Sequence, residues 1–512
     1  MDVSKTGKGN RPNRADAPYT GYYSNTVPEH DSLLTETGAE TACGEYMRRF
    51  WHPICMSLEL TDTPRYVKLL GEELVVFRDK SGQVGVLHAH CCHRGASLEY
   101  GQIQEKGIMC SYHGWKFDID GRCLEVPSPK GEEEEGQRFA ATKWQGAYKA
   151  FERSGLVFTY MGPPEEEPLF PDFEDGYTVE SDDELAAFSN FQHCNWLQVQ
   201  DNAADQYHHI PLHTTAVVPG HEQGTTFGEA GAAPYLVRPD LQFFPVHDGK
   251  AMAWTSSRRV DKDKLFIRIN QQLLPNLSLH SYLFETGEER KLFSRIHMIR
   301  WTVPVDDENS KMIGWRVVGP NIDPRGIGKA RRHMIGYETM DFLDGQVAMR
   351  RPERFGKYAH DPMPPIPKDH RERPCYKDAQ YAPGDYEVII SQRPIAVHAL
   401  ENPMKADGGV YLFRKLLRDA ITGKNKGAMP DAFRKWLEDV GGRPPSYCSG
   451  NILMVPEGAT EKEEVQRRRD VAEQMIETLT ESNKYTGKKR NKFVIDKFAE
   501  IERKFADLTG NL

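Results

Sequence analysis

The sequence predicts an α+β protein: an N-terminal antiparallel β domain, then a C-terminal domain whose antiparallel sheet is flanked by helices. Three observations carry this. From Tyr46 the chain runs in short β-type stretches (RYVKLL, ELVVFRD, VGVLHAH, GIMCSYHGWKFD), with SGQ at 81–83 and Asp-Gly at 120–121 as turns between them. Beyond Tyr177, strand patterns (SLHSYLF, SRIHMIRWTVPV, WRVVG) mix with helical ones (NWLQVQDNAADQYH, GGVYLFRKLLRDAI). Finally, 512 residues are too many for one ordinary core.

Residues 1–38 are polar, rich in Gly, Pro and Asn, and read as a flexible arm. The β domain is expected over 39–165. Within it SPKGEEEEGQ, 128–137, reads as a solvated loop, and GLVFTYMG, 155–162, as a late strand. The acidic connector PPEEEPLFPDFEDG leads to the second domain, 177–455, in which the proline-rich stretch 350–385 looks like an extended excursion. The charged segment 456–512 is expected to form two surface helices. One has Val465, Val471, Met475, Ile476 and Leu479 on a face, the other Ile495, Phe498, Ile501 and Phe505.

A net charge of −9 gives no support for nucleic-acid or membrane-surface binding. Nine cysteines are too sparse and irregular for a disulfide framework and fit a reducing, cytoplasmic setting with some thiolates on metal. Neither a secretion signal nor a membrane anchor is visible, and no apolar run is long enough to span a bilayer.

The chemistry concentrates in HCCHRGASL, 90–98. Cys91-Cys92-His93 is followed by sixteen residues and then Cys110-Ser-Tyr-His113. A Cys-x-His and a Cys-x-x-His pair supply two thiolates and two imidazoles, each pair followed by a glycine, Gly95 or Gly114, that lets the backbone turn tightly. The Cys-x-His spacing selects Cys91 over Cys92, which is expected to point away and pack. His88 and His90 lie outside the pattern. Such a donor set suits zinc or a [2Fe–2S] cluster, although zinc ribbons favour Cys-x-x-Cys pairs and none is present.

With these residues in view, CCHRGASLEYG…CSYHGWKFDIDGRC resembles the Rieske domain of the Rieske non-haem iron oxygenases. In the family the two cysteines hold one iron and the two histidines the other, so the resemblance implies Cys91, His93, Cys110 and His113 as cluster ligands. Where the family usually has Pro between Cys and His, this chain has Cys92, so some stiffness of that loop is lost.

The second domain contains NWLQVQDNAADQYHHIPLH, 195–213, with Asp205, His208 and His213 spaced Asp-x-x-His-x-x-x-x-His. On a helix, His208 lies a turn after Asp205, and Pro211 bends or ends the helix before His213. Two histidines and a carboxylate on one side of Fe(II) leave adjacent positions open for O2 beside a substrate. His209 is the neighbour that competes with His208.

The segment resembles the family's iron-binding helix. By that resemblance Asp205 is not an iron ligand but bridges to a cluster histidine, matching His113, of the neighbouring subunit. Asp201 and Asn202 are assigned support of the helix. The third iron ligand, an acidic residue well downstream, falls by the same resemblance on Asp385 in PGDYEVIISQRPIAVHALE. Glu387, on the same face of an expected strand, is the first alternative, and Asp341 and Asp344 are others. The resemblance spans about 40–455, is strongest at 91–115 and 201–213, and points to the phthalate-dioxygenase-like branch.

The implied protein is the terminal oxygenase (alpha) component of a multicomponent system, with one [2Fe–2S] cluster and a mononuclear Fe(II). It takes electrons from NAD(P)H through a separate reductase, with or without a ferredoxin, because no dinucleotide fingerprint or plant-type ferredoxin spacing is present. The resemblance further implies a homotrimer arranged head to tail, O2 as co-substrate, and hydroxylation or O-demethylation of an aromatic, expected to be an aromatic acid. Pocket residues are expected from 245–320, where Arg258, Arg259 and Arg268 are candidates to hold a carboxylate. The rival readings are an electron-transfer Rieske protein with an inactive second domain and a zinc hydrolase.

Overall fold

The computed structural model describes residues 26–173, 184–213, 237–281, 290–318 apart from Arg295, and 369–506 apart from 373–375 and 382, with Tyr19 and Gly21. The β-type stretches after Tyr46 form β1 (Trp51–Met56), β2 (Arg65–Leu69), β3 (Glu72–Arg78) and β4 (Val84–His88). The short strands β5 (Gln102–Ile103), β6 (Ile108–Met109), β7 (Lys116–Phe117) and β8 (Cys123–Glu125) follow, then β9 (Ala147–Arg153) and β10 (Leu156–Tyr160). Six pair in the order β1-β10-β9-β4-β3-β2, and β5-β6-β7-β8 make a separate four-stranded sheet.

The second region is built on β11 (Glu184–Gln192), β12 (Asp240–Val246), β13 (Ala251–Asp261), β14 (Lys264–Leu273), β15 (Leu277–Ser281), β16 (Ile296–Asp306) and β17 (Asn309–Val318). They pair antiparallel in the order β11-β17-β16-β15-β14-β13-β12, and β18 (Ser449–Met454) adds to β14. Because side chains alternate between faces, one face of this sheet is apolar. Ile299, Trp301, Val303, Ile313 and Trp315 lie on it, in one core with β1 and β10, where Phe158 meets Trp301 and Trp315 at 5.3 and 5.5 Å.

The opposite face is polar and is covered at one end by a helix, Trp196–Ala204. Gln200 of that helix is buried on it: its carbonyl accepts from Gln272 Nε2 at 2.6 Å and its Oε1 from Thr302 Oγ1 at 2.9 Å. The sheet thus seats the helix that leads to His208.

Four expectations change. The arm is anchored at its end: a helical turn, α1 (Ser32–Thr35), buries Leu34, Asp31 pairs with Arg418, and Thr37 N donates to Asp307 Oδ1 at 2.8 Å. The acidic loop becomes helix α2 (Glu133–Ala140), because Glu133, Glu134 and Glu135 fall in its first turn, where the helix dipole favours negative charge. The excursion at 350–385 lies outside the described residues up to 368, and at its end Asp385 starts a helix. In the C-terminal pair, Glu461–Ser482 and Gly487–Ala506, the second helix buries Val494 with Phe498, Ile501 and Phe505, whereas Ile495 is exposed. The spacing 494, 498, 501, 505 keeps the stripe on one line better than one starting at 495.

Candidate metal centres

Helices near the sites are α3 (Trp196–Ala204), α4 (His209–His213), α5 (Asp385–Ile390) and α6 (Gly408–Ile421). The two cysteine–histidine stretches fold as matched loops. Cys91 N donates to Ala96 O at 2.9 Å and Cys110 N to Trp115 O at 2.8 Å, both five residues ahead. Gly95 N and Gly114 N each donate back to the cysteine carbonyl four residues before, at 2.8 and 2.9 Å. Both glycines have positive φ, 76° and 73°, which L side chains rarely adopt. The unequal Cys-x-His and Cys-x-x-His spacings therefore sit on equal loops.

The four predicted side chains come together in pairs. Cys91 and Cys110 are buried. Burial, with the Cys110 thiol alongside, pushes the Cys91 thiol up to about 12. Two adjacent buried sulfurs suit a cationic centre, which deprotonates coordinating thiols outright. The His93 and His113 rings lie 4.6 Å apart, and His93 stacks on Trp115 at 4.5 Å. A sulfur pair facing an imidazole pair fits a [2Fe–2S] rhomb better than one ion.

Cys92 is exposed, not packed. Its N–H, which a proline would lack, donates to Gln145 Oε1 at 2.7 Å, and Gln145 Nε2 donates to the carbonyls of His88 and His90 at 2.8 and 2.9 Å. The buried Gln145 thus ties the loop down where proline's stiffness is missing. His90 faces Glu73 at 2.9 Å, outside the cluster set.

The second site forms where α3 stops. Asp205 is extended rather than helical (φ −82°, ψ 116°), and the chain resumes as α4 from His209. Asp205 and His208 are therefore brought together by a break and not by a helical turn. Asp205 Oδ1 accepts from Tyr207 N at 2.9 Å, and Oδ2 lies 3.5 Å from His208 Nδ1. On the other side, His208 Nε2 lies 3.5 Å from Asp385 Oδ1. Burial alone would lower the His208 pKa, but Asp205 and Asp385 outweigh it and raise it. An imidazole nitrogen and a carboxylate oxygen converging beyond hydrogen-bond length are a fitting pair for one ion. The side chain of His213 is outside the described residues, as are Asp341 and Asp344. His209 packs its ring against His208 at 4.5 Å.

Asp385 stands on a helix, not a strand. Glu387 Oε2 accepts from Gly384 N at 2.8 Å and caps α5, while Asp385 faces His208. Tyr386, Ile389 and Ile390 pack with Phe188, Val199, Met298 and Met312, fixing α5 over the sheet. Asn202, read from sequence as helix support, donates from Nδ2 to Asp385 Oδ1 at 3.3 Å. Only its nearness to Asp205 could have signalled this. Asp201 is buried and receives Arg414 at 2.6 Å, which also holds Glu401. An open groove lined by Asp201, Asn202, Asp205, His208, Glu401 and Arg414 leads to this site from outside.

Of the arginine candidates, Arg259 pairs with Glu464 at 2.9 Å and so pins the C-terminal helix. Arg258 and Arg268 are buried on the sheet.

Residues 50–143 match the Rieske [2Fe-2S] domain. Over 489 residues the chain is 40% identical to the tert-butanol monooxygenase / tert-amyl alcohol desaturase oxygenase subunit of Aquincola tertiaricarbonis, covering 94% of this chain and 96% of that one. It is 33% identical over 431 residues to the phenoxybenzoate dioxygenase subunit alpha of Ectopseudomonas oleovorans, covering 81% and 90%. Among solved structures, NdmB of Pseudomonas putida CBB5 aligns with a TM-score of 0.51 at 17% identity, over 79% of this chain and 97% of that one, a likeness of fold.

Proposed function

The chain belongs to the Rieske non-haem iron oxygenases, and from that premise we propose that Cys91, His93, Cys110 and His113 hold its cluster and His208, His213 and Asp385 its iron. It is an oxidoreductase whose cofactors are a [2Fe–2S] cluster and a mononuclear iron. When bound, the cluster would supply electrons singly and the iron would supply O2 activation beside the substrate.

This chain's own residues supply orientation and access. Asn202 holds the Asp385 carboxylate toward His208. Asp205 lines the open groove beside His208, its side chain 36% exposed and so open to the second copy's His113 that this reading calls for. Tyr112 and Tyr100, at 59% and 74% exposure, flank the cluster loops and leave them free for contact. These features support a homotrimer in which each cluster serves the next subunit's iron. Electrons come from a separate NAD(P)H-dependent reductase, with or without a ferredoxin, in the cytoplasm. Among the described residues no helix is long and apolar enough to cross a membrane.

The reaction is hydroxylation or O-demethylation of an aromatic acid. The observation that carries this reading is the pairing of two preformed donor sets in one chain, one sulfur–imidazole and one imidazole–carboxylate. A second reading, oxidation of a small tertiary alcohol, is favoured by the relative named for tert-butanol. The test is oxygen uptake by the iron-loaded chain with a reductase and NADH, over aromatic acids, methoxy-aromatic acids and tert-butanol, with product analysis. Formaldehyde matching substrate loss means demethylation, and a hydroxylated product without it means ring oxidation. No substrate-dependent uptake with a reducible cluster would contradict the oxygenase assignment of these residues.

A further inference from the structure

The polar face of the second sheet continues past α3 as a patch of arginines and histidines. Register sets His280 beside Met298 and Met298 beside Arg316, with Ser278, Arg300 and Gly314 in the next row. Arg268, two residues from Asn270 on β14, joins them, and its Nη2 donates to Ser281 O at 3.2 Å. His297 is buried nearby. Between Ala251 and Val260, and in 264–273, 277–281, 296–305 and 309–318, the strands carry no Asp or Glu. Arg268, Arg300, Arg316 and His280 thus share a face on which these stretches of strand offer no counter-charge.

Two of these groups are short of acceptors. Arg300 is 9% exposed. Its Nη1 reaches only Met312 Sδ, a weak acceptor, at 3.0 Å, and its buried Nε meets no acceptor among the described residues. His280 is 8% exposed, and its Nε2 likewise meets none among the described residues. Burial lowers Arg300 to about 10, with the nearby Asp385 opposing and Arg316 adding. Burial and then Arg300, Arg268, His297 and Arg316 hold His280 well below its usual range, so it is neutral and offers one N–H. A buried guanidinium whose Nε meets no acceptor among the described residues favours an anionic occupant. The carboxylate that acts on Arg300, Asp385, is committed to the iron in the reading above, and a bound divalent ion would make the surroundings more cationic still.

We infer that Arg300 and His280 hold the carboxylate of the substrate on the sheet face beside the iron. This rests on the oxygenase reading and deepens it: the substrate is an anion, and its charged end is read by residues of β15 and β16. A guanidinium fork and one imidazole N–H match a carboxylate's two oxygens, whereas an amide offers one oxygen and no charge. Arg300 thereby acts as a specificity residue, and Arg268 and Arg316 add field without being required to touch the ligand.

The test uses the iron-loaded full chain and three pairs of probes: benzoate, phthalate and 3-methoxybenzoate, each against its amide. Binding is followed by quenching of tryptophan emission, since the Trp254 ring lies 6.5 Å from that of His280. At least one acid is expected to bind more tightly than its amide. In Arg300→Gln that acid should weaken by about ten- to a hundred-fold, the loss of a charged hydrogen bond, while the amide is unaffected. Arg300→Lys should recover part of the loss, and His280→Asn should lose less than Arg300→Gln.

Equal binding of every acid and its amide overturns the inference. So does equal weakening of both in Arg300→Gln, or loss of iron in that variant, which would make Arg300 a support for Asp385. Oxygen uptake is scored separately. Uptake driven by tert-butanol or an amide, with no acid bound, overturns the carboxylate site and leaves the oxygenase reading intact. An acid that binds through Arg300 but elicits no uptake supports the site and contradicts the oxygenase reading.

Discussion

The two candidate metal centres are held in different ways. The cluster loops are built by backbone. Two nearby stretches each close with the same pair of main-chain hydrogen bonds and a glycine at positive φ, and the ligands ride on that frame. The iron site is built by side chains. Asp385 comes from a helix 183 residues beyond Asn202, and its position depends on Asn202, His208 and the packing of Tyr386, Ile389 and Ile390. A backbone-built site tolerates changes at non-ligand side chains, as Cys92 in place of proline illustrates. A side-chain-built site is sensitive to each neighbour.

The largest effects come from the ligands themselves. Cys110→Ser is expected to lose the cluster, its visible absorbance and all turnover, while His208→Ala loses the mononuclear iron and turnover but keeps the cluster spectrum. A single variant that empties both sites would break the separation between them. Next, Asp205→Asn should keep both metals and lower product formation by about a hundred-fold, the upper range for groups that orient a metal-bound histidine. Full turnover in Asp205→Asn would remove its bridging role.

Asn202→Ala probes the side-chain frame directly. It should weaken iron affinity by about ten-fold through a loosened Asp385, read by iron retention during dialysis against a chelator, with the cluster spectrum unchanged. The smallest effects fall on the backbone frame. Gly95→Ala and Gly114→Ala each force an L residue into left-handed backbone, costing about 1–2 kcal/mol. Gly114→Ala should lie at the higher end, because its added Cβ would come within 3.1 Å of Pro127, whereas nothing lies within 4 Å of that at Gly95. Thermal unfolding monitored by cluster absorbance measures both. No change in either would mean the glycines do not set the loops.

The same contrast explains what could be read in advance. Cys91, His93, Cys110 and His113 were legible because a local frame leaves a local spacing. In the three sheets β2, β3, β4, β10, β15, β16 and β17 were legible as β-type runs between turn residues, whereas β1, β11, β12, β13, β14 and β18 were not singled out; the C-terminal helices were legible from their stripes, with Val494 for Ile495 the slip of one position. Asp385 needed a family resemblance to single it out, and its helix was misread as a strand because DYEVII has β-branched character at a helix start. The contact of Asn202 with Asp385 and the role proposed for Arg300 had no local sign in the sequence, because both depend on strands and helices distant in sequence.

The central claim is that one chain holds two separate iron centres. Iron, acid-labile sulfide and zinc measured on the purified chain test it most directly. The account predicts about three irons and two sulfides per chain with no zinc, two irons in the cluster and one at His208 and Asp385. Two irons with two sulfides would leave only an electron carrier, and zinc in place of the third iron would point to a hydrolase; either result contradicts it.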